Sequence, residues 1–467
     1  MTDQDQQDPP AGSRPYLSVL VTLVIADIAY AFQQTAIIPA IPTVAHALHA
    51  TEAWSAWLIS AYLMLATVAT PALGRYADLH GRKRTLVAAL VVFLVGSFGA
   101  ALSPDIATLI VFRAVQGVGG AVFPLAFAVV RDTLPYDRVP TAIGALTGAF
   151  GIGTALGFGL GGLLAEVSWR LIFAIGAVLV GVGSALVAAY VPRSGGAAGG
   201  RFDVRGTVLV GGCAVAVLLA LTLGVQIGWR SPVTIVLLVA SVVAGAWWVR
   251  VELRVTDPLV DLRVFRARPV LLTNIATVGL GWALFGGYFL VPQFVRAVPS
   301  QAHYGFAASA TVTGLYLLPA AIGQLVAGPA AGPLARRFSG SRVFAAGLGV
   351  VAVALAVLGT TGHSSAQVLI GTLLLGLGAG LAIQTSSSVV TQGVAAEQTS
   401  TSTALNSTIR RFAGGIGGQI SAILLAAVAI ASGTVPSQSA FAIAFLTAAG
   451  LALLGGALAL LMPAERA

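Results

Sequence analysis

Asp27, Tyr30, Gln33 and Gln34 stand in the middle of an apolar run that extends over about 16–45. Helical spacing places Asp27, Tyr30 and Gln34 on one face, because they are three and seven residues apart. An acid at the centre of a bilayer costs about 2.5–3.5 kcal/mol on insertion scales. A carboxyl kept there at that cost is expected to take up and release protons. The alternative is a structural acid, permanently hydrogen-bonded or close to the interface. Arg113 and Gln116 stand in a second apolar run, about 106–131. A guanidinium does not give up its charge, so Arg113 needs an acid, carbonyls or water. The chemistry on offer is the movement of protons and the holding of charge. No His, Cys and carboxylate residues are grouped with metal or nucleophile spacing, so neither a metal nor a cofactor is expected. The one lysine, Lys83, is followed by Arg84, which excludes a phosphate-binding G-K-S/T loop. The chain does not read as an enzyme.

The elements that must position these residues are membrane helices. The chain of 467 residues is 57% hydrophobic and 9% charged, against about 25% charged in a soluble protein. Apolar runs of about 20 residues argue for helices rather than barrel strands. Fourteen such segments are expected: about 16–45, 53–74, 84–103, 106–131, 139–164, 170–191, 206–226, 232–250, 268–296, 305–334, 341–360, 365–392, 399–432 and 437–462. The net charge of +9 falls in the loops, so the lipid headgroups and not nucleic acid are the expected counterpart. Even-numbered connections carry Arg75, Arg82, Lys83, Arg84, Arg131, Arg138, Arg193, Arg201, Arg205, Arg250, Arg254, Arg263, Arg266, Arg268, Arg336, Arg337 and Arg342; odd-numbered ones carry Arg170, Arg230 and Arg296. Positive residues stay on the cytoplasmic side, so both termini are expected there. Residues 1–13 are polar, with Asp3, Asp5 and Asp8 where a signal peptide is basic, and are expected to form a cytoplasmic tail. The lone Cys213 allows no intramolecular disulfide.

The chain also repeats itself. Pro71-Ala72-Leu73-Gly74 matches Pro329-Ala330-Ala331-Gly332 at an offset of 258, and Gly117 and Gly119 match Gly376 and Gly378 at an offset of 259. Two related six-helix bundles are therefore expected, 16–191 and 256–463, with a linker and an inserted helix pair over 192–255 and tails at 1–15 and 464–467. Parallel halves of six helices are a transporter architecture, with the substrate site between them near the midplane.

Gly74-Arg75-Tyr76-Ala77-Asp78-Leu79-His80-Gly81-Arg82-Lys83-Arg84 joins the second and third segments. It resembles the signature loop of the major facilitator superfamily, G-x-L-a-D-r-x-G-r-k, with Tyr76 where Leu is usual. Arg113-Ala114-Val115-Gln116-Gly117-Val118-Gly119-Gly120-Ala121 is similar to the family's second motif. The inserted pair, Phe202-Asp203-Val204-Arg205-Gly206 and Asp257-Pro258-Leu259-Val260-Asp261-Leu262 resemble the fourteen-helix drug:H+ antiporter branch. Gly151–Gly162, including Gly153, Gly157, Gly161 and Gly162, resembles the antiporter motif, with Phe158 where Pro is usual. These glycines read as helix packing; a G-x-G-x-x-G at Gly157, Gly159 and Gly162 has no strand around it to make a dinucleotide site.

The resemblance implies an all-α major facilitator fold in the bacterial cytoplasmic membrane. It implies efflux of hydrophobic or cationic amphiphilic, drug- or antibiotic-like compounds by a proton-coupled monomer. It implies that Arg113 pairs with Asp27 across the cavity. It implies a cytoplasmic gate of Gly74, Arg75, Asp78, Gly81, Arg82 and Asp132, in which Arg82 pairs with Asp132 and Asp78 faces the N-terminus of the eleventh helix. Gln33 occupies the place of the branch's membrane acid, and Asp27, six residues earlier, is the candidate substitute. Tyr30, Gln33, Gln34, Gln116, Asn274, Trp282, Tyr288, Gln324 and Gln384 are expected on the cavity wall, with Phe285, Gln293, Tyr316 and Asn406; for each alone, helix packing is the competing role. Glu397 is expected to pair with Arg410 or Arg411 at the cytoplasmic rim. A proton-independent uniporter or importer of a metabolite remains open because Gln33 cannot titrate, and a non-transporting receptor or scaffold is the remaining class.

Overall fold

A computed structural model describes residues 16–135, 138–193, 203–255, 258, 262–360, 364–392, 399–427 and 436–462. The described elements are helical. They run α1 (Tyr16–Thr35), α2 (Ile41–Ala47), α3 (Glu52–His80), α4 (Arg82–Leu102), α5 (Ile106–Gln116), α6 (Val122–Thr133), α7 (Val139–Tyr190), α8 (Val204–Gln226), α9 (Pro232–Glu252), α10 (Arg268–Arg296), α11 (Pro299–Ala302), α12 (Ala310–Phe338), α13 (Gly340–Thr360), α14 (Ser365–Gln392), α15 (Thr399–Ala427) and α16 (Gln438–Leu460). Short 3-10 turns join α1 to α2, at Ile38–Ala40, and α5 to α6, at Gly117–Ala121.

Side-chain caps start several helices. Thr51, Asp105, Asp203, Ser309 and Ser437 each accept from a backbone amide in the first turn, worth about 0.5–2 kcal/mol apiece. Asp105 takes both the Thr108 amide at 2.8 Å and the Thr108 hydroxyl at 3.1 Å, which holds its carboxyl below the usual range. Gly81 separates α3 from α4 at φ 99°, a backbone conformation that a side chain disfavours.

Twelve helices among the described residues are long and apolar enough to cross a membrane, and the chain is a multi-pass membrane protein. The expected fourteen spans are not reached as separate apolar helices, for two physical reasons. The fifth and sixth segments form one element, α7, of 52 residues, interrupted at Ser168, whose backbone is extended (φ −165°, ψ 127°). The thirteenth segment, α15, carries Asn406, Arg410, Arg411 and Gln419 among serines and threonines, and is too polar to qualify.

The two arms of α7 run in opposite senses along α1. Gly153, Gly157 and Gly161 of the first arm meet Ile28, Phe32 and Ala36 in rising order; Gly176 and Gly183 of the second meet Gln33 and Ala26 in falling order. The chain therefore doubles back near Ser168. The internal repeat is equally visible in packing. Gly117 lies against the Tyr62 carbonyl and Gly376 against that of Ala320; Gly119 lies against Phe93 and Gly378 against Val351. In both pairs of neighbours the second residue follows the first by 258 places.

Two seams join the first and second sets of helices. One is α3 with α15, the other α7 with α12. α8 and α9 pack on each other and touch the rest through α3 and α15, and α9 presents Val236, Val239, Val242, Val243 and Trp247 outward. Trp57 Nε1 donates to Thr222 Oγ1 at 2.7 Å, and Thr222 reaches Gln419 Oε1 at 3.3 Å, so α8 spans the first seam.

Close backbone approach in the seams and bundles depends on absent side chains. A Cβ on Gly161 would lie 2.1 Å from the Ala36 carbonyl oxygen, whereas one on Gly159 meets nothing within 4 Å. Gly161→Ala is expected to destabilise the protein by about 1–3 kcal/mol through overpacking, and Gly159→Ala to be neutral or slightly stabilising. Thermal inactivation in detergent checks the pair; equal midpoints would show that α1 and α7 are not held at backbone contact.

Candidate functional site

Several of the candidate side chains lie in the interior of the bundle. α5 carries Arg113 into the interior, where it is 1% exposed. Its Nε donates to the Leu58 carbonyl at 2.9 Å and its Nη1 to Gln116 Oε1 at 2.7 Å. Gln116 in turn donates to Ser97 Oγ at 2.8 Å, and the Tyr62 ring covers the guanidinium at 4.7 Å. Carbonyl, amide and π-face together supply what a buried cation needs. The pair expected between Arg113 and Asp27 is not formed. Arg113 is satisfied by α3 and by its own helix, and neither carboxylate oxygen of the fully buried Asp27 has a hydrogen-bond partner.

Tyr30 lies one turn beyond Asp27, packed between Phe93 and Phe150 with ring centroids at 6.2 and 6.0 Å. Gln34 Oε1 is buried without a partner. Gln33 departs from the expected cavity wall. It is wholly buried against Gly176 of the second arm of α7, and neither polar atom of its amide is bonded.

The other residues expected on the cavity wall have contacts of their own. Gln116 serves Arg113. Asn274 belongs to a buried cluster, accepting from Asn406 Nδ2 at 3.1 Å, while Asn406 also donates to Thr277 Oγ1 at 2.9 Å and takes a bond from Ser386 at 3.1 Å. Trp282 fills the space over Gly417 of α15. Tyr316 bonds Ser365 at 2.7 Å, and Gln384 is exposed. Tyr288 and Gln324 do meet, with Nε2 to the hydroxyl at 3.3 Å. Tyr288 also stacks edge-on to Phe158 at 5.3 Å, and Phe285 to Tyr288 at 6.1 Å.

At the Arg-rich end, Arg82 donates to Asp132 and, at 3.0 Å, to the Ala128 carbonyl. Asp78 is exposed and lies 3.7 Å from Arg82 as an ion pair. Arg75 is partly buried beside them, and Gly74 has nothing within 4 Å of a built Cβ. Glu397 lies outside the described residues. Arg410 and Arg411 stand eleven and twelve residues into α15, roughly 17 Å from its start, so they are not at a rim.

The opposite end is closed by contacts that the sequence did not single out. Glu52 accepts from Gln293, Arg296 donates to Thr43, and Glu166 Oε1 accepts from the Thr311 amide at 3.0 Å. A Cβ on Gly162 would strike the Ala310 carbonyl and one on Gly314 the Phe158 carbonyl. Towards the Arg-rich end, Gly144, Gly148 and Gly328 have nothing within 4 Å. α7 and α12 thus touch at one end and part towards the other.

A family model described as Major Facilitator Superfamily matches residues 23–201 and 204–418. The chain is 31% identical over 374 residues to the Multidrug resistance protein Stp of Mycobacterium tuberculosis, covering 79% of this chain and 68% of that one. It is 29% identical over 383 residues to the Tetracenomycin C resistance and export protein of Streptomyces glaucescens, with the same coverage of 79% and 68%. Among solved structures, a POT family transporter in complex with 5-aminolevulinic acid superposes with a TM-score of 0.71 at 14% identity, covering 97% of each chain. The nucleoside transporter NupG superposes at 0.66 and 13% identity over 95% and 99%. At such identities the superpositions speak for the fold alone.

Gln116→Leu removes the acceptor of Arg113 Nη1 and the donor to Ser97. Leaving a buried guanidinium arm unmet is expected to cost about 1–3 kcal/mol, read as a lower midpoint of thermal inactivation. An unchanged midpoint would mean that Gln116 does not hold Arg113.

Proposed function

The chain belongs to the Major Facilitator Superfamily, and from that premise we propose that it is a proton-coupled exporter of amphiphilic organic compounds, working by alternating access. The observation that carries proton coupling is Asp27. With no donor and no cation beside it, a carboxylate buried among α1 and its neighbours is uncompensated, and a proton is the partner left to it. Export is supported by the likeness to resistance and export proteins. Alternating access is supported by helices that meet at one end and part at the other.

Counting each arm of α7 and adding α15 gives fourteen passes, arranged as bundles over 16–191 and 256–463 with the α8–α9 pair between. The Arg-rich end is the cytoplasmic one on the charge rule, so the conformation is open to the cytoplasm and both termini lie there, in a bacterial plasma membrane. Arg82, Asp78 and Asp132, now held within one set of helices, are the groups that close this end in the other state.

The test is proton flux in liposomes, followed with a pH dye while amphiphiles are added. Asp27→Asn is expected to abolish substrate-driven proton movement that the wild type shows. Transport that proceeds equally in both, with no proton flux, would replace the exporter by the uniporter reading. No substrate exchange in the wild type would leave the receptor or scaffold.

A further inference from the structure

Three guanidinium groups, and no carboxylate paired with any of them among the described residues, surround the middle of the α3–α15 seam. Arg113 approaches from α5. Arg411 Nη1 reaches across from α15 to Thr70 Oγ1 and to the Gly120 carbonyl at 3.2 Å. Arg410 Nη2 has a weak 3.4 Å contact with Ser407, and its Nη1 is buried without any partner. Tyr62 lies within electrostatic reach of both Arg113 and Arg411, and Tyr30 within reach of Arg410. The five side chains therefore form one cluster facing both sets of helices.

Packing does not require cations at these positions. The internal repeat places Arg410 and Arg411 258 places after Ile152 and Gly153, in the first arm of α7. There Gly153 packs on α1, against Ile28 and Ala31, and Ile152 is exposed. Charge has been added to one seam of a pseudosymmetric pair. Adjacent arginines repel one another, and burying them without an anion is costly.

We propose that Arg410 and Arg411 form an anion-binding subsite in the central cavity, and that the cargo is an organic acid: an apolar body bearing a carboxylate or like group. The unpartnered Nη1 of Arg410 takes the acid, and its neighbour Arg411 adds the second charge. Planar guanidinium forks suit a carboxylate. Tyr30 and Tyr62, both buried, stand within electrostatic reach of the guanidinium groups. This assignment rests on reading the chain as an exporter and narrows its cargo.

The probes are three compounds with one apolar body: 1-pyrenebutyrate, 1-pyrenebutanol and (4-pyrenylbutyl)trimethylammonium. Binding to the full chain is followed by fluorescence in phosphatidylcholine nanodiscs. Wild type is expected to favour the acid over the alcohol by about tenfold or more, the size of a charge-assisted hydrogen bond, and to favour the ammonium least. Arg410→Gln and Arg411→Gln are each expected to bring the acid-to-alcohol ratio close to one, and Arg410→Lys to restore part of it, which a lost fold would not do. Equal affinities for all three in wild type, or a ratio unchanged in both Gln variants, would overturn the subsite while leaving the exporter reading in place. No binding of any probe would overturn both. An acid preference that vanishes when phosphatidylglycerol is the lipid would assign the subsite to a lipid headgroup and overturn its assignment to cargo.

Discussion

Hydrocarbon offers no hydrogen-bond partner, so each polar atom carried into the membrane must be met by the protein itself. Much of the interior is built around that constraint. Arg113 is met by the Leu58 carbonyl, Gln116 and the face of Tyr62; Asn406 is met by Asn274, Thr277 and Ser386. Helix hydroxyls such as Thr67 and Ser97 turn back to their own carbonyls at 2.8 Å. Against this background the exceptions stand out. Asp27, Gln33, Gln34 and Arg410 each keep a buried polar atom with no partner, as do Tyr62, Ser402, Thr408, Gln419 and Ser421. Sites that break a rule obeyed elsewhere in the same molecule are where function is to be sought.

The second organising device is the glycine that lets one backbone lie on another. Without a hydrophobic force between helices in lipid, close packing holds the bundle together. Gly153, Gly157 and Gly161 let α1 lie along α7, and Gly117 and Gly376 do the same job at equivalent places of the repeat. The same principle closes the end away from the arginines, where Gly162 and Gly314 bring α7 and α12 to backbone contact. A contact made by shape and few hydrogen bonds can part without leaving many buried groups unmet.

The membrane class and the spacing of helices were legible in the sequence, because length and apolarity are local properties. So were the basic loops and the repeat, whose glycine pairs find equivalent neighbours. The direction of individual polar side chains was not legible. In a membrane the lipid-facing and core-facing sides of a helix are both apolar, so periodicity carries little information about which way a residue points. The packing of Gln33 on Gly176 and of Asn274 on Asn406 therefore left no mark in the sequence. Arg410 and Arg411 were placed at the cytoplasmic rim of the segment 399–432 because arginines in this chain are usually near a loop. Their depth follows from the start of α15 at Thr399, eleven and twelve residues earlier. The closure by Glu52, Gln293, Thr43 and Arg296 left no local signal, since its members are far apart in the chain.

The α8–α9 pair covers one of the two seams, pinned by Trp57, Thr222 and Gln419. Among the described residues the other seam has no such cover: Ile152, Leu156, Leu160 and Val326 are exposed there, and near the arginine-rich end Gly144, Gly148 and Gly328 have nothing against them. The bundle is thus sided. On the proposed reading as an exporter, a compound dissolved in the adjacent leaflet would reach this seam without first passing through water. For such a compound, filling of the cavity is governed by its partition coefficient into lipid rather than by its aqueous concentration.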